Sequence, residues 1–101
     1  MAELRVSPEA VEELDAIWLH IATDSGSTDV ATRVVESIAD CFWLIARAPF
    51  IGRRRDNLRP GLRSFLVNVY VVIYRIDNDD MVLILHVVHG SRDLDKQLGT
   101  S

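Results

Sequence analysis

The spacing of hydrophobic residues changes once along this chain, and that change limits the folds open to it. Up to about residue 48, apolar side chains recur every three or four positions, which is the period of a helix with one buried face. After residue 61 they form dense runs of valine, isoleucine, tyrosine and phenylalanine separated by turn-forming residues, as in β-strands. Helices followed by strands predict an α+β domain with the helices on one face of a sheet.

Two helices are predicted in the first half. Ser7 followed by Pro8 is typical of a helix start, because serine caps free backbone N–H groups and proline lacks one. The first apolar stripe consists of Val11, Leu14, Ile17, Trp18 and Ile21. The second helix starts near residues 28–29 and ends before Pro49. Its stripe consists of Val30, Val34, Ile38, Cys41, Leu44 and Ile45. The short break at residues 24–27 predicts an antiparallel hairpin.

A small, mainly antiparallel sheet is predicted for the second half. Three strands form a meander, at residues 62–67, 69–76 and 81–89. The last two are apolar at both alternating positions, so we expect them in the middle of the sheet with both faces at least partly covered. Residues 4–6 are extended, and residues 93–98 are expected to form a final turn. The arginine-rich segment after Pro49 is predicted as a loop.

Length and composition exclude several classes of protein. The 101 residues, 49% hydrophobic and 26% charged, suit one compact domain spanning residues 1–101. The apolar runs are shorter than the roughly 20 residues of a transmembrane helix, and the N-terminus lacks the pattern of a secretory signal. The single cysteine, Cys41, excludes an internal disulfide and a cysteine-based zinc site. We expect a soluble cytoplasmic protein that makes no membrane contact.

Charge is distributed unevenly along the chain. The formal net charge is −4, yet residues 1–50 contain nine acidic and three basic residues whereas residues 51–101 contain six and eight. Five arginines fall within eleven positions: Arg53, Arg54, Arg55, Arg59 and Arg63. An acidic protein is a poor general binder of nucleic acid, but clustered guanidinium groups can bind a partner's carboxylates. The alternative is a solvated loop whose arginines pair loosely with Asp56.

Three segments in order resemble the ParE toxins of the RelE/ParE superfamily. They are LRPGLRSF at residues 58–65, YVVIYR at 70–75 and VVHGSRDL at 87–94, supported by SPEA at 7–10 and APFIGR at 48–53. The resemblance covers nearly the whole chain and implies a helix hairpin packed on a small sheet. It also implies a type II toxin that inhibits DNA gyrase without a cofactor. A cognate ParD-like antitoxin would neutralise it in a hetero-oligomer and provide the only link to DNA.

The RelE branch of the superfamily cuts messenger RNA on the ribosome, and chemistry separates it from the ParE branch. Cleavage through the 2′-hydroxyl needs an acid, a base and cations around the phosphorane. The resemblance places the RelE tyrosine near Leu98 and the middle-strand arginine near residues 67–68, and neither residue type occurs there. Of that set only Arg92 is matched. We therefore expect no catalytic residue, and an endonuclease using Arg63, Arg75 and Arg92 is the alternative.

The three histidines are interpreted as structural. His86 and His89 lie three positions apart in a strand, so they should point to opposite faces and cannot share a substrate atom or a metal ion. We expect each to be half-buried, with its ring nitrogens satisfied by neighbours. His20, at a helix end, is expected at the surface. No metal site is predicted.

Aromatic residues on the helices are divided between core and surface. Trp18 and Phe42 fit the apolar stripes and are expected in the core, and Cys41 is expected to pack there as an inert residue. Trp43 lies about 100° round the helix from Phe42, which favours exposure to a partner.

The arginine pattern and the resemblance together predict seven residues that bind the antitoxin or the target. They are Arg53, Arg54, Arg55, Arg59, Arg63, Arg75 and Arg92. A third hypothesis is an interaction module that has lost toxicity.

Overall fold

The computed structural model of the chain describes residues 2–78 and 80–91. Within these ranges the elements are β1 (Glu3–Val6), α1 (Pro8–Ser25), α2 (Thr28–Arg47), a 3₁₀ turn (Pro49–Ile51), β2 (Arg53–Arg54), β3 (Leu62–Val67), β4 (Tyr70–Asp77) and β5 (Met81–His89). The sheet has the order β1-β5-β4-β3-β2. The α+β class and the meander β3-β4-β5 are confirmed, whereas the turn expected at residues 93–98 lies outside the described residues.

Local sequence explains where the helices begin and end. The Ser7 hydroxyl accepts the Ala10 N–H at 3.0 Å at the start of α1, and Gly26 ends that helix in the left-handed region at φ 70°. The Ser27 hydroxyl then caps α2 by accepting the Val30 N–H. This tight connection folds the two helices into the predicted hairpin. In the described part of the chain no helix is long and apolar enough to cross a bilayer.

The main core lies between the helices and one face of the sheet. Ile38, Phe42 and Ile45 of α2 are buried against Val72 and Tyr74 of β4. The prediction that Phe42 belongs to the core is confirmed.

Three members of the predicted stripes are less buried than expected. Val11 and Val30 are exposed, and Trp18 is only half-buried, with its indole N–H donating to Thr32 Oγ1 at 3.1 Å. For Val11 the reason is that α1 approaches the sheet through Ala10, which is fully buried. Val11, about 100° further round the helix, therefore turns towards solvent.

A second cluster covers part of the sheet face that lies away from the helices, called here the outer face. Leu58, from the loop before β3, is buried there with Leu62 and Ile73, and Val71 and Leu85 pack against them. Both faces of the central strands are therefore at least partly covered, which confirms the prediction for β4 and β5.

Two sheet pairings were not predicted from the sequence. The extended segment at residues 4–6 becomes β1, which pairs in parallel with β5. The prediction of a loop is wrong at Arg53 and Arg54, which form β2 opposite Ser64 and Arg63 of β3. Two residues are too few for strand periodicity to be recognised.

The turn between β3 and β4 also shifts one strand boundary. Strand β4 begins at Tyr70 rather than at residue 69, because Asn68 and Val69 form the two-residue hairpin turn. Asn68 has a φ of 57°, a conformation that asparagine tolerates better than most residues.

Side chains of α1 complete the edge of β5 where β1 ends. Beyond Ile84, the last residue of β5 paired with β1, the Ser7 hydroxyl donates to the Leu85 carbonyl at 2.7 Å. The Glu13 carboxylate accepts the Val87 N–H at 2.9 Å. Two backbone groups that would otherwise be left unpaired at a sheet edge are thus satisfied by the helix.

Candidate partner-binding surface

The clustered arginines lie on β2, the following loop and β3, and several of them make contacts within this region. Arg54 pairs with Asp56 at 2.6 Å, and Arg55 contacts Asn57 and Ser64 at 3.4 and 3.5 Å. Arg53 is exposed opposite Ser64, and Arg59 is exposed in the turn that leads to β3. The region is therefore a positively charged surface in which the exposed Arg54 pairs with Asp56.

Asp56 organises the loop between β2 and β3. Its carboxylate accepts the backbone N–H of Gly61 at 2.9 Å while it pairs with Arg54. The Gly61 N–H, together with Arg54, holds the pKa of Asp56 below its usual value. Gly61 has a φ of 85°, a left-handed conformation that favours glycine.

Arg63 is the clustered arginine most firmly held by its surroundings. Its Nη1 donates to the Gly52 carbonyl at 2.9 Å, and its guanidinium lies over the ring of Phe50, 5.1 Å from the centroid. Arg63 is half-buried, whereas Phe50 is 74% exposed. The cation and the ring thus form one surface feature.

Tyr74 supports this feature from the core. Its buried hydroxyl donates to the Pro49 carbonyl at 2.7 Å and accepts the Gly52 N–H at 2.9 Å. Burial is the main cause that raises the pKa of Tyr74. A Cβ atom at Gly52 would collide with the Tyr74 hydroxyl and approach the Ser64 carbonyl to 2.9 Å, so only glycine fits.

The sequence did not reveal Tyr74, Gly52 or Phe50 as parts of a site. The only signal in the sequence is the glycine at position 52, and the need for glycine there depends on its contacts with Tyr74 and Ser64, which are distant in sequence.

Arg75 and Arg92 do not join the cluster in the described structure. Arg63 lies opposite Tyr74 in the sheet register, whereas Arg75 lies opposite Leu62 and Leu83. Because neighbouring residues of a strand point to opposite faces, Arg75 faces the outer side of the sheet and Arg63 the helix side. Arg75 binds both oxygens of Asp77, at 2.7 and 3.2 Å. Arg92 lies outside the described residues.

Structural residues occupy the position at which a RelE-like toxin would carry its middle-strand arginine. Val67 is buried in the main core, and Asn68 lies in the hairpin turn. Neither residue presents a positive charge to a substrate.

His86 and His89 lie on opposite faces of β5, as predicted. His86 is opposite Ile73 of the outer cluster, and His89 is opposite Tyr70 of the main core. The half-buried His86 places Nδ1 3.2 Å from Glu13 Oε2.

His89 and His20 are surface residues. The expectation that His89 is half-buried is wrong, because β5 ends there and the ring is exposed, edge-on to Tyr70. The Nδ1 atom of His89 accepts the Ser91 N–H at 3.1 Å. His20 is exposed beside Asp24, as predicted.

A shallow cleft of about 530 Å³ lies between α1 and the ends of β4 and β5. It is lined by Glu13, Ala16, Ile17, His20, Tyr70, Val87, Val88, His89 and Ser91. Its Glu13 carboxylate already binds the Val87 N–H and His86. Among residues 2–78 and 80–91, no three His, Cys, Asp or Glu side chains are grouped so that they could hold a metal ion.

An aromatic surface lies where α2 meets the 3₁₀ turn. Trp43 is 54% exposed, which confirms the expected exposure, and the exposed Phe50 and Ile51 follow within eight residues. Cys41 is half-buried, and burial followed by the nearby Asp40 charge raises the pKa of its thiol. The thiolate form is disfavoured, in agreement with a packing role.

Sequence comparisons place residues 4–94 in a single family. They match the family model described as ParE toxin of type II toxin-antitoxin system, parDE. Toxin ParE3 of Caulobacter vibrioides is 36% identical over 87 residues, which cover 86% of this chain and 85% of that protein. Toxin ParE1 of Mycobacterium tuberculosis is 28% identical over 93 residues, covering 92% and 94%.

Two solved structures have a fold similar to that of this chain. A chain of the chromosomal ParDE TA system from P. aeruginosa has a TM-score of 0.77 at 22% identity, with 88% of this chain and 96% of that chain covered. A chain of the toxin-antitoxin complex RelBE2 from Mycobacterium tuberculosis has a TM-score of 0.58 at 26% identity, covering 87% and 96%.

Proposed function

This chain belongs to the ParE toxin family of type II toxin–antitoxin systems, and from that premise we propose that it acts by binding and not by catalysis. Its target is DNA gyrase in the cytoplasm, which is the role of the family. A ParD-like antitoxin neutralises it in a hetero-oligomer, and contact with DNA is made through that antitoxin.

The observation that carries the non-catalytic part of the proposal is the separation of Arg63 from Arg75. A RelE-like endonuclease would need its cations on one side of a scissile phosphate, where they stabilise the charge of the phosphorane. Here Arg63 faces the helix side, where it binds Gly52 and Phe50, and Arg75 faces the outer side, where it binds Asp77. Within the described residues, these two arginines cannot act on one phosphate.

The arginine surface is the proposed region of partner binding. Arg53, Arg54, Arg55, Arg59 and Arg63 gather positive charge in a chain whose net charge is −4, so they attract carboxylates against the overall field. We assign these five to the antitoxin or target interface, and Arg75 and Arg92 stay predictions from the sequence.

The test compares two activities of the purified toxin. We expect it to inhibit supercoiling of relaxed plasmid by gyrase and to leave ribosome-bound messenger RNA intact. Arg92→Ala serves as the discriminating variant, because the RelE-like alternative predicts that it abolishes RNA cleavage. Messenger cut by the wild type and spared by R92A would contradict the proposal. Normal growth of cells that express the toxin without antitoxin would favour the non-toxic interaction module instead.

A further inference from the structure

Phe50 stands at the end of a chain of contacts that begins in the core. The fully buried Tyr74 binds Pro49, the first residue of the 3₁₀ turn that carries Phe50, and Gly52, the residue that follows the turn. The Gly52 carbonyl accepts from Arg63, and the Arg63 guanidinium lies over the Phe50 ring. The position of an exposed ring is therefore fixed through three successive contacts.

This arrangement has the properties of a binding anchor. An exposed aromatic side chain gains little for folding, because about three quarters of its surface stays in water. A ring that is already held in place loses little conformational freedom when a partner covers it. Preorganised aromatic residues and arginines are the residue types that dominate the binding energy of interfaces.

The chemistry of the anchor defines the group that it would receive. One Arg63 N–H is bound to Gly52, and a guanidinium has five N–H groups in a planar fork. Arg54, the neighbour of Arg63 in the sheet, is already paired with Asp56. A carboxylate adjacent to an apolar side chain would satisfy both the fork and the ring.

We propose that the exposed ring of Phe50, held by Arg63, is the anchor on which the antitoxin places an apolar side chain with a carboxylate beside it. The inference rests on the proposed function, since the occupant is the ParD-like antitoxin. Charge favours an acidic peptide over nucleic acid, because a chain of net charge −4 repels a continuous line of backbone phosphates more strongly than it repels a single carboxylate.

The test measures the affinity of purified full-length toxin variants for the antitoxin encoded by the neighbouring gene. Phe50→Ala removes the ring, and Leu19→Ala is the matched control, with a side chain that is 62% exposed. Trp18, the residue before Leu19, binds Thr32 in the first part of α2. Thr32 lies about 20 Å along α2 from Arg47, the last residue of that helix, and Phe50 comes three residues after Arg47. Circular dichroism checks that both variants fold.

We expect F50A to raise the antitoxin Kd about 30-fold or more and L19A to change it less than about twofold. Equal affinities for F50A and L19A would overturn the anchor and leave the proposed function intact. Loss of toxicity by F50A with unchanged antitoxin affinity would assign the ring to the target and also overturn it. Failure of the wild type to bind any antitoxin would instead contradict the proposed function.

Discussion

Two polar clusters at the borders of the sheet differ in where their contacts end. At the seam between α1 and β5, Ser7 and Glu13 bind backbone groups of β5, and His86 binds Glu13. At the other border, the contacts start at the buried Tyr74 and end at Arg63 and the exposed Phe50. The side chains of the first cluster bind other groups of the protein, whereas the second cluster ends in side chains that are exposed to solvent.

The difference shows how to separate structural from functional polar residues in a small domain. Both clusters contain titratable side chains, so residue type alone does not distinguish them. A cluster whose donors and acceptors are matched within the fold stabilises it. One that holds an aromatic ring and a cation at the surface retains the capacity to bind.

The largest effect is expected from removing the buried Tyr74 hydroxyl, at which the contacts of the second cluster start. Tyr74→Phe removes the hydroxyl that binds Gly52 and Pro49, leaving two backbone groups unpaired, and should lower the free energy of unfolding by about 1–3 kcal/mol. It should also weaken antitoxin binding, because the turn that carries Phe50 loses its support.

Urea unfolding and calorimetric titration measure the two effects. Tyr70→Phe is the matched control: Tyr70 lies on the same face of β4, and its hydroxyl makes no hydrogen bond within the described ranges. Equal free energies of unfolding for Y74F and Y70F would show that the Tyr74 hydroxyl does not stabilise the second cluster.

Neutralising the arginine surface beside the second cluster should act mainly on binding, because the exposed Arg54–Asp56 pair that the fold loses contributes little to stability. The double variant Arg53→Gln/Arg54→Gln removes two exposed charges and should weaken antitoxin binding about tenfold at low salt, with a smaller salt dependence. The control Arg5→Gln/Arg33→Gln removes the same charge elsewhere. If antitoxin affinity depended on salt to the same degree in the two double variants, the arginine surface would not be the part that binds the antitoxin.

Weakening the first cluster should act on stability alone. Glu13→Gln keeps an acceptor for the Val87 N–H but removes the charge that binds it and His86, which should cost about 1 kcal/mol. The exposed Glu12→Gln is the control, and thermal unfolding measures both. A loss of antitoxin affinity in E13Q at unchanged stability would mean that the seam is itself a binding surface.

The smallest effect is expected from Asp56, whose side chain is exposed to solvent. Because its pKa is lowered in the folded state, the charged form stabilises the fold above the ordinary carboxyl pKa. That contribution is lost as pH falls through the lowered pKa. The wild type should therefore be slightly more stable than Asp56→Asn at pH 7 and should lose this advantage in acid. A difference that grows in acid would contradict the assigned cause.

The parts of the fold that depend on neighbouring residues were predictable from the sequence. The serine cap at Ser7, the stop before Pro49 and the extents of β3 and β5 all follow from residues within a few positions. The parallel pairing of β1 with β5 joins segments about 80 positions apart, and no local pattern specifies it.

The binding surface was only partly predictable for the same reason. Composition identified the arginine cluster, but the support of Phe50 by Tyr74 depends on contacts across more than twenty positions. The separation of Arg63 from Arg75 follows from the register of β3 with β4, which a strand assignment alone does not give.

The central claim, that this toxin acts by binding, is tested most directly by the amount of toxin needed to stop gyrase. Supercoiling is measured while purified toxin is titrated against a fixed concentration of gyrase. A binder must occupy its target, so inhibition should rise with the toxin-to-gyrase ratio and be reversed by added antitoxin. Full inhibition of protein synthesis by trace toxin, with cut messenger and unaffected supercoiling, would contradict the claim.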